Sequence, residues 1–151
     1  MKINKVALLI AFAIASVLFL EVAARADETD QSIKITFNQP IEIPGKVLPA
    51  GTYLFKLADP NDLNVVRIFN SQGTRLYATL QTITAERAMP TGDAVVVLAD
   101  PSEGRPETLV KWFYPGNTSG HELVYPKQEE QQLAQARQQT IVVNETAQAG
   151  D

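Results

Sequence analysis

The stretch that most constrains the fold is Pro49-Ala50-Gly51-Thr52-Tyr53-Leu54-Phe55-Lys56-Leu57-Ala58-Asp59-Pro60, because a close version of it returns 41 residues later as 90–101. The two copies share Pro, Gly, Leu, Ala, Asp and Pro at the same six offsets. Each copy reads as a tight turn, a strand rich in β-branched or aromatic residues, and a second turn opened by Asp-Pro. A chain punctuated this way has no room for long helices, so it is expected to build antiparallel strands. Around the copies the pattern extends. Residues 64–70 and 74–85 follow the first copy as strands, and 108–114 follows the second. Val110-Lys111-Trp112-Phe113 stands where Val66-Arg67-Ile68-Phe69 stood, and Gly120-x-x-Leu123 echoes Gly73-x-x-Leu76. Two successive three-stranded meanders are the expectation. Chance recurrence of turn residues is the alternative, since Pro, Gly and Asp-Pro build any hairpin.

Strand faces follow from alternation. Residues 32–37 place Ile33, Ile35 and Phe37 on one face, with Lys34 and Thr36 on the other. Ile41 and Ile43 form a short piece bounded by Pro40 and Pro44, which suits an edge. Leu76, Ala78 and Leu80 are expected to share the buried face of the longest strand. Residues 94–98 are apolar at every position, as in a strand covered on both sides. Pro126 opens a helix expected over 127–139, with Glu129 and Glu130 in its first turn and Arg137 in its last. Residues 141–143 are β-prone and fit an added edge strand.

The ends carry addresses rather than fold. Lys2 and Lys5 precede an apolar run at 6–20, and Ala24-Arg25-Ala26 supplies a small-x-small cleavage site. That run is shorter than the ~20 residues a membrane-spanning helix needs. A signal peptide over 1–26 is therefore expected, then a leader at 27–31, a β domain at 32–126, the helix, and a tail at 140–151. Localisation is expected to be periplasmic or extracellular. Without the signal, 13 basic and 17 acidic residues become 10 and 16, a net charge of −6. Such a chain lacks the clustered Lys and Arg that nucleic acid requires. It has no cysteine, which excludes disulfides, thiolate metal sites and a cysteine nucleophile.

The segment Pro40-Ile41-x-Ile43-x-Gly45-x-x-Leu48-Pro49-Ala50-Gly51-x-Tyr53 resembles a family of small exported proteins from soil bacteria. Those proteins share the Leu-Pro-Ala-Gly-x-Tyr hairpin and close with Gly-x-Glu-Leu before a charged helix, matched here by Gly120-His121-Glu122-Leu123. This chain departs from that pattern by placing Val124-Tyr125-Pro126 between the Leu and the helix. The resemblance implies an exported β domain and no established activity.

Candidate chemistries are few. His121 is the single histidine, whereas hydrolytic metal sites and Ser-His-Asp relays need partners at fixed spacing. Asp59, Asn61, Asp62, Asp100 and Glu103 place carboxylates in two comparable turns, but without the full ligand series of a calcium loop. No glycine-rich phosphate loop follows a strand, so no cofactor is expected. The best binding candidates are Trp112, Tyr114, Asn117, Ser119 and His121. An aromatic platform beside a polar loop suits a sugar ring or a peptide. In the competing reading Trp112 is core and the loop is only a turn, and the burial habits of large aromatics favour that reading. Asn117-Thr118-Ser119 and Asn144-Glu145-Thr146 match the glycosylation pattern, which matters only in a eukaryotic secretory route.

The expectation is thus an exported all-β domain, a small antiparallel barrel or sandwich of seven to eight strands with one C-terminal helix. Its expected role is non-enzymatic binding or assembly with an envelope protein or glycan. The alternatives are a β-barrel carrier of a small apolar ligand or sugar, and an envelope hydrolase pairing Asp59 with Asp100 or Glu122. A membrane-spanning barrel is set aside because most strands read as six or seven residues, short of the ~9–11 needed.

Overall fold

The computed structural model describes residues 31–100 and 104–143. The signal peptide, most of the leader, Glu103 and the tail beyond 143 lie outside the described residues. The rest is an all-β domain: ten strands in one large sheet, with one helix. The strands are β1 (Ser32–Phe37), β2 (Ile41–Ile43), β3 (Lys46–Leu48), β4 (Gly51–Asp59), β5 (Asp62–Asn70), β6 (Leu76–Glu86), β7 (Ala94–Asp100), β8 (Glu107–Phe113), β9 (Ser119–Leu123) and β10 (Arg137–Val143). Helix α1 (Lys127–Gln135) precedes β10.

The repeated stretches become the first strands of two meanders. β4, β5 and β6 pair in succession, and so do β7, β8 and β9, all antiparallel. The third strands meet, with Thr82 to Glu86 of β6 against β9. At the far ends β1 flanks β4, and β10 flanks β7. The order β1-β4-β5-β6-β9-β8-β7-β10 therefore reads the same from either end: flanking strand, then first, second and third strands of a meander. β1 and β10 do not pair, so the sheet is not closed and no barrel forms. Asp59 does what its place before Pro60 suggests. Its carboxylate accepts from the Asn61 amide at 2.8 Å, which bends the chain between β4 and β5.

The inner face carries one core joined across both meanders. Cross-strand registers set Ile33, Phe55 and Ile68 in one row and Val96, Trp112 and His121 in another. The rows touch where the Phe55 and Trp112 rings meet edge to face, centroids 5.2 Å apart. On the outer face Val97, Ala99 and Val110 are covered by Leu133 and Ala136 at the helix end. With Val95 packed against Ala85 and Phe113, β7 is buried at every position from Ala94 to Ala99.

Two bulges alter the faces that simple alternation assigns. In β8, Val97 faces Lys111 while Leu98 faces Leu109, so Val110 is the extra residue. Without it, Leu109 inside would place Trp112 outside; with it, Trp112 turns inward and Lys111 outward. In β6, Tyr77 is the extra residue between Ala78 opposite Ile68 and Leu76 opposite Phe69. Tyr77 consequently packs on the core, edge to face with Tyr53 at 5.4 Å, and Leu76 is 50% exposed. The expected Leu76, Ala78 and Leu80 stripe thus loses its first member.

Other expectations also need correction. Among the described residues there are ten strands rather than seven to eight. β2 is not an edge, because it pairs with β3 on one side and in parallel with Glu107 and Thr108 of β8 on the other. Pro40 and Pro44 lie just outside its three residues and so cost the ladder nothing. The helix stops at Gln135, where Ala136 turns extended (φ −73°, ψ 152°). Residues 137–139 join β10 because the open edge of β7 offers seven backbone pairings. Three strands run to 9, 9 and 11 residues, so strand length no longer argues against a spanning barrel. The unclosed sheet does, since lipid-exposed edges are unsatisfied. No helix among the described residues is long and apolar enough to cross a membrane.

Candidate functional site

Three places could carry function: the aromatic cluster around Trp112, a slot between β1 and β10, and a cleft beneath α1.

The aromatic cluster is interior. Trp112 is 0% exposed, His121 4% and Tyr114 7%, while Asn117 in the loop before β9 and Ser119, the first residue of β9, are exposed. The His121 ring lies 5.3 Å from Trp112 and 5.7 Å from Tyr114. His121 Nδ1 is 3.3 Å from the Thr82 hydroxyl, which donates to the Leu63 carbonyl. Burial lowers the His121 pKa, partly offset by a hydrogen bond to the Leu63 backbone. Burial also pushes the Tyr114 phenol up to about 12, with the Trp112 side chain close enough to lower it slightly. Trp112 Nε1 and Tyr114 Oη nevertheless lack a partner with full hydrogen-bond geometry. Closed to solvent, the cluster cannot serve as a surface platform for a sugar ring. It does not bring Trp112 together with Asn117 or Ser119 at an accessible place.

The two motif segments have structural explanations. Tyr53 Oη donates to the Pro49 carbonyl at 2.5 Å, closing the Leu-Pro-Ala-Gly-x-Tyr turn on itself. Gly120 faces Phe113 across the β8–β9 ladder, and a Cβ there would land on the Trp112 carbonyl and 2.8 Å from Phe113 Cδ1. Glycine is needed at 120 for space. The inserted Tyr125 is buried, and its hydroxyl donates 2.6 Å to the Leu109 carbonyl. That carbonyl lies between the β2 ladder and the β9 ladder on β8, where neither strand reaches. Burial, then the Glu42 and Glu129 carboxylates, raise the Tyr125 pKa. The loop 115–118 is held by Arg87, which donates to the carbonyls of Asn117 (2.8 Å) and Tyr114 (3.0 Å) and stacks over Phe113 at 4.9 Å.

The slot, about 220 Å³, is lined by Ile35, Phe37 and Ile41 on one side and Val96, Leu98 and Ile141 on the other. It marks where the sheet fails to close.

The cleft is larger, about 450 Å³, and seven of its nine lining residues are polar or charged. Its floor is Glu42 of β2 and Thr108 of β8 on the outer face of the sheet, and Asp100 lines it from the end of β7. Its wall is α1, through Glu129, Gln132, Leu133, Gln135 and Ala136, and Arg105 stands at the rim. Arg105 Nη2 donates to Glu42 Oε1 at 2.7 Å. Asp100 is thus gathered with Glu42 and Glu129, not with Asp59 or Glu122; Glu122 instead lies 3.9 Å from Lys111. Sequence reasoning passed over Glu42, Arg105 and Thr108. The available signal was a carboxylate wedged between Ile41 and Ile43, a charge in a segment otherwise built for the core.

Compared with protein families, with curated proteins and with solved structures, the chain matches none.

Proposed function

We propose that this chain is a non-enzymatic, exported binding module whose site is the cleft beneath α1. The observation that carries the reading is the convergence there of charged and polar side chains from four separate segments: β2, the β7 end, β8 and α1. Small-ligand sites are concave, with a few polar groups aimed at one volume, and 450 Å³ falls in their usual range. The apolar-carrier alternative finds less support, since the inner face is filled by Trp112, Phe55 and Leu109, all at 0% exposure. Export rests on the basic amino terminus, the short apolar run and the Ala24-Arg25-Ala26 site.

One observation favours a second reading, an envelope hydrolase: three carboxylates line the same cleft. Against it, Glu42 is already held by Arg105.

Native mass spectrometry of the protein taken from its own envelope or culture fluid tests the proposal. The expected result is a discrete extra mass that a Glu129→Arg variant fails to retain. A clean monomer mass, or an adduct held equally by both proteins, overturns it. A bound molecule released in cleaved form moves the case to the hydrolase.

A further inference from the structure

We infer that the open edge of β10 takes an added strand: an extended, uncharged segment of a partner protein with branched apolar side chains at alternate positions. This does not rest on the cleft beneath α1. Among the described residues the strands paired on one side only are β1, β3 and β10. Two of these edges are guarded. β1 holds Lys34 at its middle and runs out toward Pro40, while β3 is three residues long, begins with Lys46 and stops before Pro49. Lysine, proline and short length are what keep a sheet edge from pairing with other chains. β10 has none of them. It is seven residues long, pairs with β7 without a register shift, and carries no charge or proline from Gln138 to Val143. Its Ile141 and Val142 are 42% and 56% exposed, and alternation sets them on opposite faces.

The slot adds a place for the incoming side chains. It lies beside this edge, with Ile141, Val96 and Leu98 on one side and Ile35 and Phe37 of β1 on the other. Ile141 stands opposite Val96 and so faces inward. A strand added to β10 sends alternate side chains into the same 220 Å³. In strand addition the backbone ladder supplies affinity and such pockets supply selectivity. Charge narrows the occupant. Arg137, at one end of β10, stands opposite Asp100. Glu107, the one charged residue lining the slot, is met by Gln139 Nε2 at 3.4 Å. The edge between them is neutral, so a charge on the incoming strand loses water and gains no counter-charge. A second copy of this chain fits less well. A seven-residue edge is ~24 Å long and about 10 Å deep through its side chains. That is on the order of 240 Å², against the ~800 Å² each partner of a stable dimer buries. A single extended segment needs no such area to bind at the weak, transient end of the range.

The test is an NMR titration of the purified, isotopically labelled protein with a capped peptide, Val-Thr-Val-Thr-Val between terminal lysines that keep it soluble. One control is the same peptide N-methylated through its central residues, which keeps the side chains and removes the ladder donors. The other carries lysine in place of the central valine. The parent peptide is expected to slow amide hydrogen exchange along β10 and to shift the amides of Ile35, Phe37 and Ile141. Both controls are expected to bind at least roughly tenfold more weakly. Val142→Lys, which places a guard at an exposed position of the edge, is expected to weaken the parent peptide by roughly fivefold or more, with the urea midpoint unchanged. Equal binding of the N-methylated peptide, or exchange slowed at β1 or β3 in place of β10, overturns the inference. So does a parent peptide that leaves β10 silent. A dimer in sedimentation that Val142→Lys dissolves gives the edge to a second copy and overturns the partner-segment assignment.

Discussion

Replacing Gly120 with alanine is predicted to be among the most damaging single-methyl changes in the domain. Gly120 pairs with Phe113 across β8 and β9, and a Cβ would meet the Trp112 carbonyl oxygen and Phe113 Cδ1 at 2.8 Å. A ring can rotate away, but the carbonyl belongs to a strand held on its other edge by β7. Relief therefore requires β9 to withdraw from Lys111, Trp112 and Phe113, weakening that ladder and the packing of His121 on Trp112. Overpacking costs ~1–3 kcal/mol, and each ladder bond lost adds ~1 kcal/mol, so about 3 kcal/mol is expected. At this chain length that is a fall of roughly 10 °C in Tm. Urea unfolding should show a lower midpoint at unchanged slope. Adding Phe113→Leu should restore little, because the carbonyl remains. Gly116 is the contrast: its φ is +75° with nothing within 4 Å, so Gly116→Asn, a residue that tolerates the left-handed region, should cost under ~1 kcal/mol. A Gly120→Ala loss below ~0.5 kcal/mol, or full rescue by Phe113→Leu, would refute the backbone-contact argument.

Two further outcomes are expected. Tyr125→Phe should cost ~1–2 kcal/mol in urea unfolding, because it strands the Leu109 carbonyl, whereas Tyr114→Phe should be near neutral, since its hydroxyl has no well-formed partner. Burial places the His121 pKa below its unfolded value of ~6.5. The unfolded chain therefore binds the extra proton first, so stability is complete above pH ~6.5 and declines as pH falls below it. His121→Phe should show less of that decline between pH 7.5 and 5, and equal slopes for the two proteins would contradict the assignment.

Much of the fold was legible where alternation and turn chemistry agree. β1 runs over the expected residues 32–37 and ends with the Ile33-x-Ile35-x-Phe37 pattern, and the unbroken apolar run of β7 is covered on both faces. The repeat correctly marked two meanders, because turn residues are local signals. What period-two reading could not supply was the bulges. Val110 and Tyr77 look like ordinary strand residues, yet each shifts its strand by one and exchanges Lys111 for Trp112, or Leu76 for Tyr77, on the inner face. Arg137 to Gln139 read as helix because their pairing with Leu98 to Asp100 spans nearly forty residues of sequence. The cleft was hidden for the same reason. Glu42, Arg105, Thr108 and Glu129 meet only once β2 docks beside β8 and α1 lies across the outer face.

The central claim is that ligand binding belongs to the outer cleft and not to the buried aromatic cluster. The chain holds a single tryptophan, so its indole N–H is one isolated NMR signal reporting on the interior. The protein, isotopically labelled, can be titrated with a fractionated extract of its own envelope while that signal and the cleft amides are followed together. The account predicts shifts at Glu42, Thr108, Gln132 and Leu133 while the Trp112 indole stays still. A moving indole beside silent cleft amides would contradict it.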